Sequence, residues 1–266
     1  MTDPHPQSVQ AQFNQDGARR IEAVYLTPDV VAQRQQVLQT LDPQQGERAL
    51  DIGCGPGLTS QALGEAVGAS GHVLAVDLAE PMLDLARQRC QSLEQVQFQN
   101  LDVTHLPLPD GSLDIALATQ VYEYVPAVAS ALKELARVLR PGGRVLLVDT
   151  DWESAVWASR DDQRMRHVLE TWNEHIPWPQ LPRSLVQILQ QAGFQDVQVE
   201  VMPLLNTRFD LHTYSAGMLD VIGAFVTGRN GLSAQEVMDW QADVRSMDAH
   251  SGYFFSLNRY VFTGTV

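Results

Sequence analysis

Asp51, Asp77 and Asp102 follow one another at near-equal spacing, and each stands at the end of a short apolar run. The first opens the segment Asp51-Ile52-Gly53-Cys54-Gly55-Pro56-Gly57. Glycines in such a bend let the backbone turn tightly and let a ligand lie against peptide groups without meeting a Cβ. A glycine-rich loop alone serves nucleotides of several kinds, so its neighbours must decide. A dinucleotide fingerprint needs glycine at its first, third and sixth positions. Counted from Gly53 the sixth residue is Leu58, and counted from Gly55 it is Ser60. Asp51 would also repel a pyrophosphate, whereas a cationic ligand without phosphate gains from the same carboxylate. Asp77, after Val73-Leu74-Ala75-Val76, suits the paired hydroxyls of a ribose, the task of the acid at the comparable strand end in dinucleotide-binding sheets. Asp102, in Gln99-Asn100-Leu101-Asp102-Val103, suits the amino group of a purine. Three acids in this order imply capture of a positively charged nucleoside.

Such residues need a scaffold that brings strand ends together. Residues 48–52, 72–76, 96–99, 113–118 and 145–148 read as short strands, most of them largely apolar. Between them Leu58, Ala62, Leu63, Ala66 and Val67 share a helical face, and Met82, Leu85 and Ala86 follow Pro81 in a second helix. Val128, Leu132, Leu135 and Leu139 mark a third, ended by Arg140-Pro141-Gly142-Gly143. Strands alternating with helices predict an α/β fold, a parallel sheet covered on both faces. Ligands bind such sheets beyond the carboxyl ends of the strands. That rule singles out residues 51–57, Asp77, Asp102, the stretch from Thr119 and Gln120 to Tyr124, and residues 149–152. Tyr122, Tyr124, Asp149, Asp151 and Trp152 thereby become candidates for contact with a second reactant, each against the alternative of ordinary loop packing.

Before the first strand, residues 19–25 read as a helix and a second helix follows Thr27-Pro28-Asp29 and runs to about Leu41, and the Gln-rich first dozen residues are expected to be loose. Past residue 151 the alternation breaks down. Residues 151–181 hold Trp152, Trp157, Trp172 and Trp178; residues 184–192 read as a helix, 196–202 as a strand and 253–263 as a final strand. Ser233-Ala234-Gln235-Glu236 is a capping box, followed by Val237, Trp240, Val244 and Met247 at helical spacing. The expected organisation is one domain over residues 1–266. It has an N-terminal helical cap (1–44), a ligand-binding core (45–150) and a second half (151–266) with lid insertions at 151–181 and 204–252. The tryptophans either glue this lid to the sheet or wall a pocket for an aromatic or cationic reactant.

The 266 residues suit one such domain better than two. With 18 Lys and Arg against 32 Asp and Glu, the net charge of −14 repels phosphate backbones. No Lys/Arg-rich run marks a nucleic-acid groove, so nucleic acid is not an expected partner. No apolar run approaches the roughly 20 residues needed to cross a bilayer. Met1-Thr2-Asp3-Pro4-His5-Pro6 lacks the basic start and apolar core of a secretion signal. A cytoplasmic protein without membrane insertion is expected. Cys54 and Cys90 are too few for a disulfide framework and read as reduced, partly buried thiols. No metal site is expected. His167, His175, His212 and His250, in the lid regions, read as surface histidines rather than bases.

Together these segments resemble the class I methyltransferases that use S-adenosylmethionine (SAM), especially the small-molecule branch that includes the ubiquinone/menaquinone-biosynthesis type. The resemblance covers residues 45–150, and 182–202 more loosely. Asp51-Ile52-Gly53-Cys54-Gly55-Pro56-Gly57 is similar to the family's first motif, and Val76-Asp77-Leu78-Ala79-Glu80-Pro81-Met82-Leu83 to its ribose-binding strand end. Asp102-Val103, with Leu106-Pro107 and Asp110-Gly111-Ser112-Leu113-Asp114, is similar to the third segment, and Leu139-Arg140-Pro141-Gly142-Gly143 to the turn before the fifth strand. The resemblance implies a Rossmann-like open sheet of seven strands whose last is antiparallel. It also implies SAM as cofactor and S-adenosylhomocysteine as product. The implied contacts are Asp51, Gly53, Gly55, Gly57, Asp77, Leu78, Met82 (packing on the adenine), Asp102, Val103, Thr119 and Gln120.

One departure matters. Where many relatives carry Glu-His after the fourth strand, this chain has Glu123-Tyr124, which excludes a histidine base at that place. The acidic/Asn-Pro-Pro-aromatic signature of DNA-methylating relatives is absent from the same spot, and two cysteines are too few for arsenite methylation. The implied activity is methyl transfer to a small-molecule acceptor. A sulfonium methyl is already electrophilic, so positioning is the main task, and a base is needed only where the acceptor must lose its proton early. Neither the acceptor, nor a catalytic residue, nor an oligomeric state is legible. A SAM-binding protein without methyl transfer, and an NAD-linked oxidoreductase that the glycine spacing opposes, are the alternatives.

Overall fold

The computed structural model describes residues 15–250 and 252–266. The expectation of a loose first dozen residues lies outside them. The chain enters through two helices, α1 (Gln15–Tyr25) and α2 (Pro28–Leu41), and then lays down β1 (Arg48–Ile52), β2 (His72–Asp77), β3 (Val96–Asn100), β4 (Leu113–Thr119) and β5 (Leu139–Trp157). With β6 (Gln195–Asn206) and β7 (Phe255–Thr265) these form one seven-stranded sheet, ordered β3-β2-β1-β4-β5-β7-β6. Strands β1 to β5 pair in parallel. Strand β7 runs antiparallel to both β5 and β6, as the family resemblance implies.

The period-two alternation of the strands builds two cores. Leu50, Ile52, Leu74, Val76, Ala116 and Ala118 point to one face, against α5 (Val128–Val138) and α7 (Pro182–Ala192). Ala49, Val73, Ile115 and Leu117 point to the other, against α2 and α3 (Leu58–Val67). Both faces are covered, which is why the central strands read as almost unbroken apolar runs. The chain builds outward from β1 to β3 and then returns to β4 on the other side of β1. The helices that follow β1 and β4 therefore leave on opposite faces, and a crevice opens at the strand ends between them.

Two strands far outrun the sequence expectation. Strand β5 continues past residue 148 to Trp157, and β6 past residue 202 to Asn206. The β5–β7 ladder holds to Asp151↔Asn258, shifts register, and resumes at Val156↔Ser256. The β6–β7 ladder reaches Asn206↔Phe255. An irregularity of this kind bends a ribbon and increases its twist. The extended strands carry a third core, in which α6 (Asp162–Trp172), α8 (Tyr214–Val226) and α9 (Ala234–Ser246) pack around Trp157, Val168, Leu219, Trp240 and Phe255. Trp157 meets Trp240 and Phe255 edge-on, with ring centroids 5.9 and 4.8 Å apart. The capping box that opens α9 is present, with the Ser233 N–H donating to Glu236 Oε2 at 2.8 Å.

Helices α6 and α8 escape the sequence reading. Helix α8, Tyr-Ser-Ala-Gly-Met-Leu-Asp-Val-Ile-Gly-Ala-Phe-Val, is apolar nearly all round and shows no stripe from which a face could be read. Of the tryptophans in residues 151–181, Trp152, Trp157 and Trp172 are buried in this third core. Trp178 is exposed, its indole N–H donating to the Val125 carbonyl at 3.0 Å. Helix α1 packs on α4 (Glu80–Arg89) through Ala18, Ala79 and Met82. Among the described residues no helix is long and apolar enough to cross a membrane, and no cluster of His, Cys, Asp and Glu side chains is placed to hold a metal.

Trp240 is fully buried at the centre of the third core. Trp240→Ala should lower the free energy of unfolding by about 3–5 kcal/mol, the range for removing a large aromatic from a packed site. A urea titration measures it, and a loss below about 1 kcal/mol would show that this core adds little to the cooperative unit.

Candidate active site

The crevice is shaped by three glycines with positive φ: Gly53 (61°), Gly55 (52°) and Gly57 (77°). Their duties differ. A Cβ on Gly53 would come within 2.4 Å of Val121, and one on Gly57 within 2.7 Å of the Ala86 Cα, whereas one on Gly55 would meet nothing within 4 Å. Gly55 thus faces open space. Gly57 instead lets the start of α3 approach α4.

The open space is a cavity of about 1,100 Å³, slightly larger than the ~300–1,000 Å³ usual for one small-molecule site. Asp51, Gly53, Gly55, Asp77, Leu78, Met82, Asp102, Val103, Thr119 and Gln120 all line it. Of the contacts that the sequence implies, Gly57 is the one that stands outside the lining. Asp51 is buried and accepts a hydrogen bond from Ser60 Oγ at 2.6 Å. Burial pushes its pKa up to about 7, against the pull of the Ser60 bond and with a contribution from the Asp77 charge.

Asp77, half-buried, accepts the Ala79 N–H at Oδ1 (2.8 Å) and the Gly55 N–H at Oδ2 (2.9 Å). Burial raises its pKa, and these main-chain donors hold the rise down. Each carboxylate oxygen keeps a lone pair for a ligand. Asp102 is exposed, and its Oδ1 accepts both the N–H and the hydroxyl of Thr104 at 2.8 Å. Gln120 follows β4 in the left-handed region, φ 56°, a strain typical of ligand sites. Its N–H donates to the Val148 carbonyl at 2.6 Å and its side chain to Thr150 Oγ1 at 2.8 Å.

The rest of the cavity lies toward β5 and β7. Among the second-reactant candidates Tyr124 lines it. Tyr122, Asp149, Asp151 and Trp152 do not: Tyr122 follows β4 as expected, but Asp149, Asp151 and Trp152 lie within the extended β5 and not beyond its end. The chain turns through a short 3-10 segment, Tyr122–Tyr124, which sends Tyr122 into the sheet core. Asp149 is buried behind it, its Oδ1 accepting the Glu123 N–H at 3.4 Å. Asp151 is clamped by Arg183, Nε to Oδ2 at 2.8 Å and Nη2 to Oδ1 at 3.0 Å. Trp152 belongs to the third core. Glu123, fully buried, accepts the Thr150 N–H at 3.1 Å. Burial raises the pKa of both Glu123 and Asp149, and the Glu123 charge raises Asp149 further.

The expectation of four surface histidines fails at His175, which lines the cavity. His175 stacks on Trp172 at 3.7 Å and meets Trp152 and Tyr124 edge-on. Its Nδ1 lies 2.6 Å from the Trp172 carbonyl oxygen and donates to it, while Nε2 is buried without a hydrogen-bond partner. Burial pushes its pKa down to about 3, so the ring is neutral at physiological pH. His167 and His212 are exposed, and the side chain of His250 falls outside the described residues. Tyr25, Gln33, Arg34 and Arg259 also line the cavity, and no short motif announces them. Cys54 and Cys90 are buried free thiols.

Residues 50–147 match a family model described as a methyltransferase domain. The chain is 39% identical over 159 residues to an uncharacterized 37.1 kDa protein in transposon TN4556 of Streptomyces fradiae, covering 59% of this chain and 46% of that protein. It is 41% identical over 117 residues to a demethylmenaquinone methyltransferase of Staphylococcus epidermidis, covering 44% of this chain and 48% of that one. The chain spans about half the length of these curated relatives. Among solved structures, phosphoethanolamine N-methyltransferase 2 of Haemonchus contortus, in complex with S-adenosyl-L-methionine, is similar with a TM-score of 0.64. Its sequence is 19% identical, with 96% of this chain and 58% of that chain covered, a likeness of fold.

The ring resonances of His175 should stay constant from pH 8 to pH 5 in an NMR titration, in the tautomer with the proton on Nδ1, because its depressed pKa of about 3 lies below that window. A midpoint near 6.5, the ordinary histidine value, would mean that the aromatic box is open to water.

Proposed function

We propose that this chain, whose residues 50–147 match a methyltransferase-domain model, is a class I methyltransferase that transfers a methyl group from SAM to a small-molecule acceptor. One observation carries this reading: two carboxylates largely withdrawn from water, Asp51 and Asp77, stand in one cavity beside the open face of Gly55. Withdrawing carboxylates from water is unfavourable until a positive charge or hydrogen-bond donors arrive, and SAM brings both. In this assignment Asp51 answers the cationic methionine portion. Asp77 takes the ribose hydroxyls with the lone pairs that Gly55 and Ala79 leave, and Asp102 takes the adenine amino group with its unengaged oxygen. Met82, Leu78 and Val103 pack on the adenine, Gly53 and Gly55 give it room to approach the backbone, and Thr119 and Gln120 stand toward the methyl. Gly57 contributes from outside, through the approach of α3 to α4.

When bound, SAM supplies a methyl group already made electrophilic by its sulfonium. The chain's own work is to align the acceptor and exclude water, which can supply several kcal/mol. We assign residues 45–150 to the cofactor, and the N-terminal cap (1–44) with the lid insertions (151–181 and 204–252) to the acceptor. Tyr25, Tyr124, Trp172 and Phe225 wall the acceptor side. The neutral His175 offers Nε2 as an acceptor for a hydroxyl or N–H of the incoming molecule. A small acceptor, rather than nucleic acid, is supported by the net charge of −14. Two reduced buried thiols fit a cytoplasmic setting.

Asp77→Ala should weaken SAM binding by about 1–3 kcal/mol through loss of charge-assisted hydrogen bonds. Calorimetry with purified protein reads this directly, and an unchanged affinity would remove the ribose assignment. A second outcome concerns pH. Free Asp51, with a pKa of about 7, must be ionised to face a cation, and the cation lowers that pKa in the complex. SAM affinity should therefore rise with pH below 7, by up to about tenfold per unit, and level off above it. Asp51→Asn should flatten that rise; a rise of the same size in the variant would sink the assignment of Asp51.

A further inference from the structure

Strand β7 alternates inward and outward, and its inward series runs Phe255, Leu257, Arg259, Val261. A guanidinium therefore stands where the pattern calls for an apolar side chain. Arg259 is 2% exposed and lines the cavity. Its Nη1 donates to Gln33 Oε1 at 2.8 Å, while Nε and Nη2 are buried without a hydrogen-bond partner. The Tyr214 ring lies 4.9 Å from the guanidinium carbon, and both the positive charge and a side-chain hydrogen bond with Arg259 oppose the rise that burial gives the Tyr214 pKa. Glu123 feels the same charge, yet its Oε2 is engaged by the Thr150 N–H and its ionisation competes with that of Asp149. A buried guanidinium that leaves two of its nitrogens without a hydrogen-bond partner is costly.

The unpartnered pair, Nε with Nη2, is the edge that grips a carboxylate by two parallel bonds. This protein already uses that edge once, where Arg183 holds Asp151 at 2.8 and 3.0 Å. Position decides which ligand Arg259 meets. It stands opposite Thr150 of β5 and Met202 of β6. From Asp51 on β1 to Arg259 on β7 is three strand steps, roughly 14 Å at the usual strand spacing. Arg20, Arg34 and Arg229 also line the cavity, and Arg34 feels the charge of Arg89, itself bonded to the Pro56 carbonyl at 2.8 Å. Val30, Val37 and Met202 wall the cavity on the face of the sheet that Arg259 shares with Val261.

We propose that the acceptor is an organic acid: a carboxylate on an apolar or aromatic body, held by the Nε/Nη2 edge of Arg259, with Gln33 fixing the guanidinium. This rests on the methyltransferase reading only for the identity of the cavity's other occupant. The test is calorimetry on the full chain, with and without S-adenosylhomocysteine. The probes are benzoate, phenylacetate and hexanoate, each against its neutral amide. At least one acid should bind about tenfold or more tightly than its amide. Arg259→Gln should abolish that preference while S-adenosylhomocysteine binding stays within twofold of the parent, and Arg259→Lys should keep part of it. Equal binding of every acid and amide pair, no binding of any acid, or a preference that survives Arg259→Gln would overturn the proposal. Should Arg259→Gln not fold, the acid-against-amide comparison on the unaltered protein still decides. An acid preference without S-adenosylhomocysteine binding would sink the cofactor reading and leave the anion site standing.

Discussion

The hydrogen bond from the Gly55 N–H to Asp77 is the contact on which the site depends. It joins the loop after β1 to the end of β2 and fixes the bend that the three positive-φ glycines permit. It also holds a carboxylate in a largely dry place without a cation beside it. Asp51, one strand away and buried under the same loop, repels that charge and has its own pKa raised. The loop by itself is thus a strained electrostatic arrangement, held by main-chain donors and by Ser60. A cation with hydroxyl donors relieves it, whereas a pyrophosphate would aggravate it. The reversal of strand order between β1 and β4 places this loop against Gln120, so the relieved charge and the strained strand end share one crevice.

Much of this was legible in the sequence because the cofactor half is built from contiguous segments. The strand, the loop and the acid are neighbours in the chain, so Asp51, Asp77 and Asp102 come to one cavity whatever the distant residues do. The acceptor half has no such locality. Tyr25, Gln33, His175 and Arg259 come from two helices, a loop and a late strand, and only folding brings them together. For Tyr122 the strand end lies where the sequence places it, whereas Asp149, Asp151 and Trp152 stand inside a strand, because β5 runs on to Trp157. A 3-10 turn, the pleat and the Arg183 clamp each aimed a side chain away from the cavity. Arg259 did leave a trace, a charge on the inward side of an alternating strand. His175 left none, since its dryness comes from Trp172 and Trp152, three and twenty-three residues before it.

The two halves also differ in what they are made of. The cofactor side is main chain, carboxylates and small residues, which suits a ligand of fixed shape and charge. The acceptor side is aromatic and aliphatic side chain around a few polar atoms whose partners are incomplete: His175 Nε2 and two nitrogens of Arg259. Groups of that kind discriminate strongly, because a molecule that fails to satisfy them leaves buried polar atoms unpaired.

The long ribbon formed by β5, β7 and β6 has a consequence for traffic. The roof over the acceptor side grows out of the floor through strand pairing that resumes after the irregularity beyond Asp151 and reaches Trp157↔Phe255 and Asn206↔Phe255. Swinging it outward would unzip those ladders. Helices α1 and α2, by contrast, are moored through side chains: Gln33 to the Met202 carbonyl at 3.2 Å, Asp29 accepting the Tyr214 N–H at 2.9 Å, and Glu22 paired with Arg89. Loosening these side-chain moorings would open the amino-terminal wall to reactants and products without tearing the sheet.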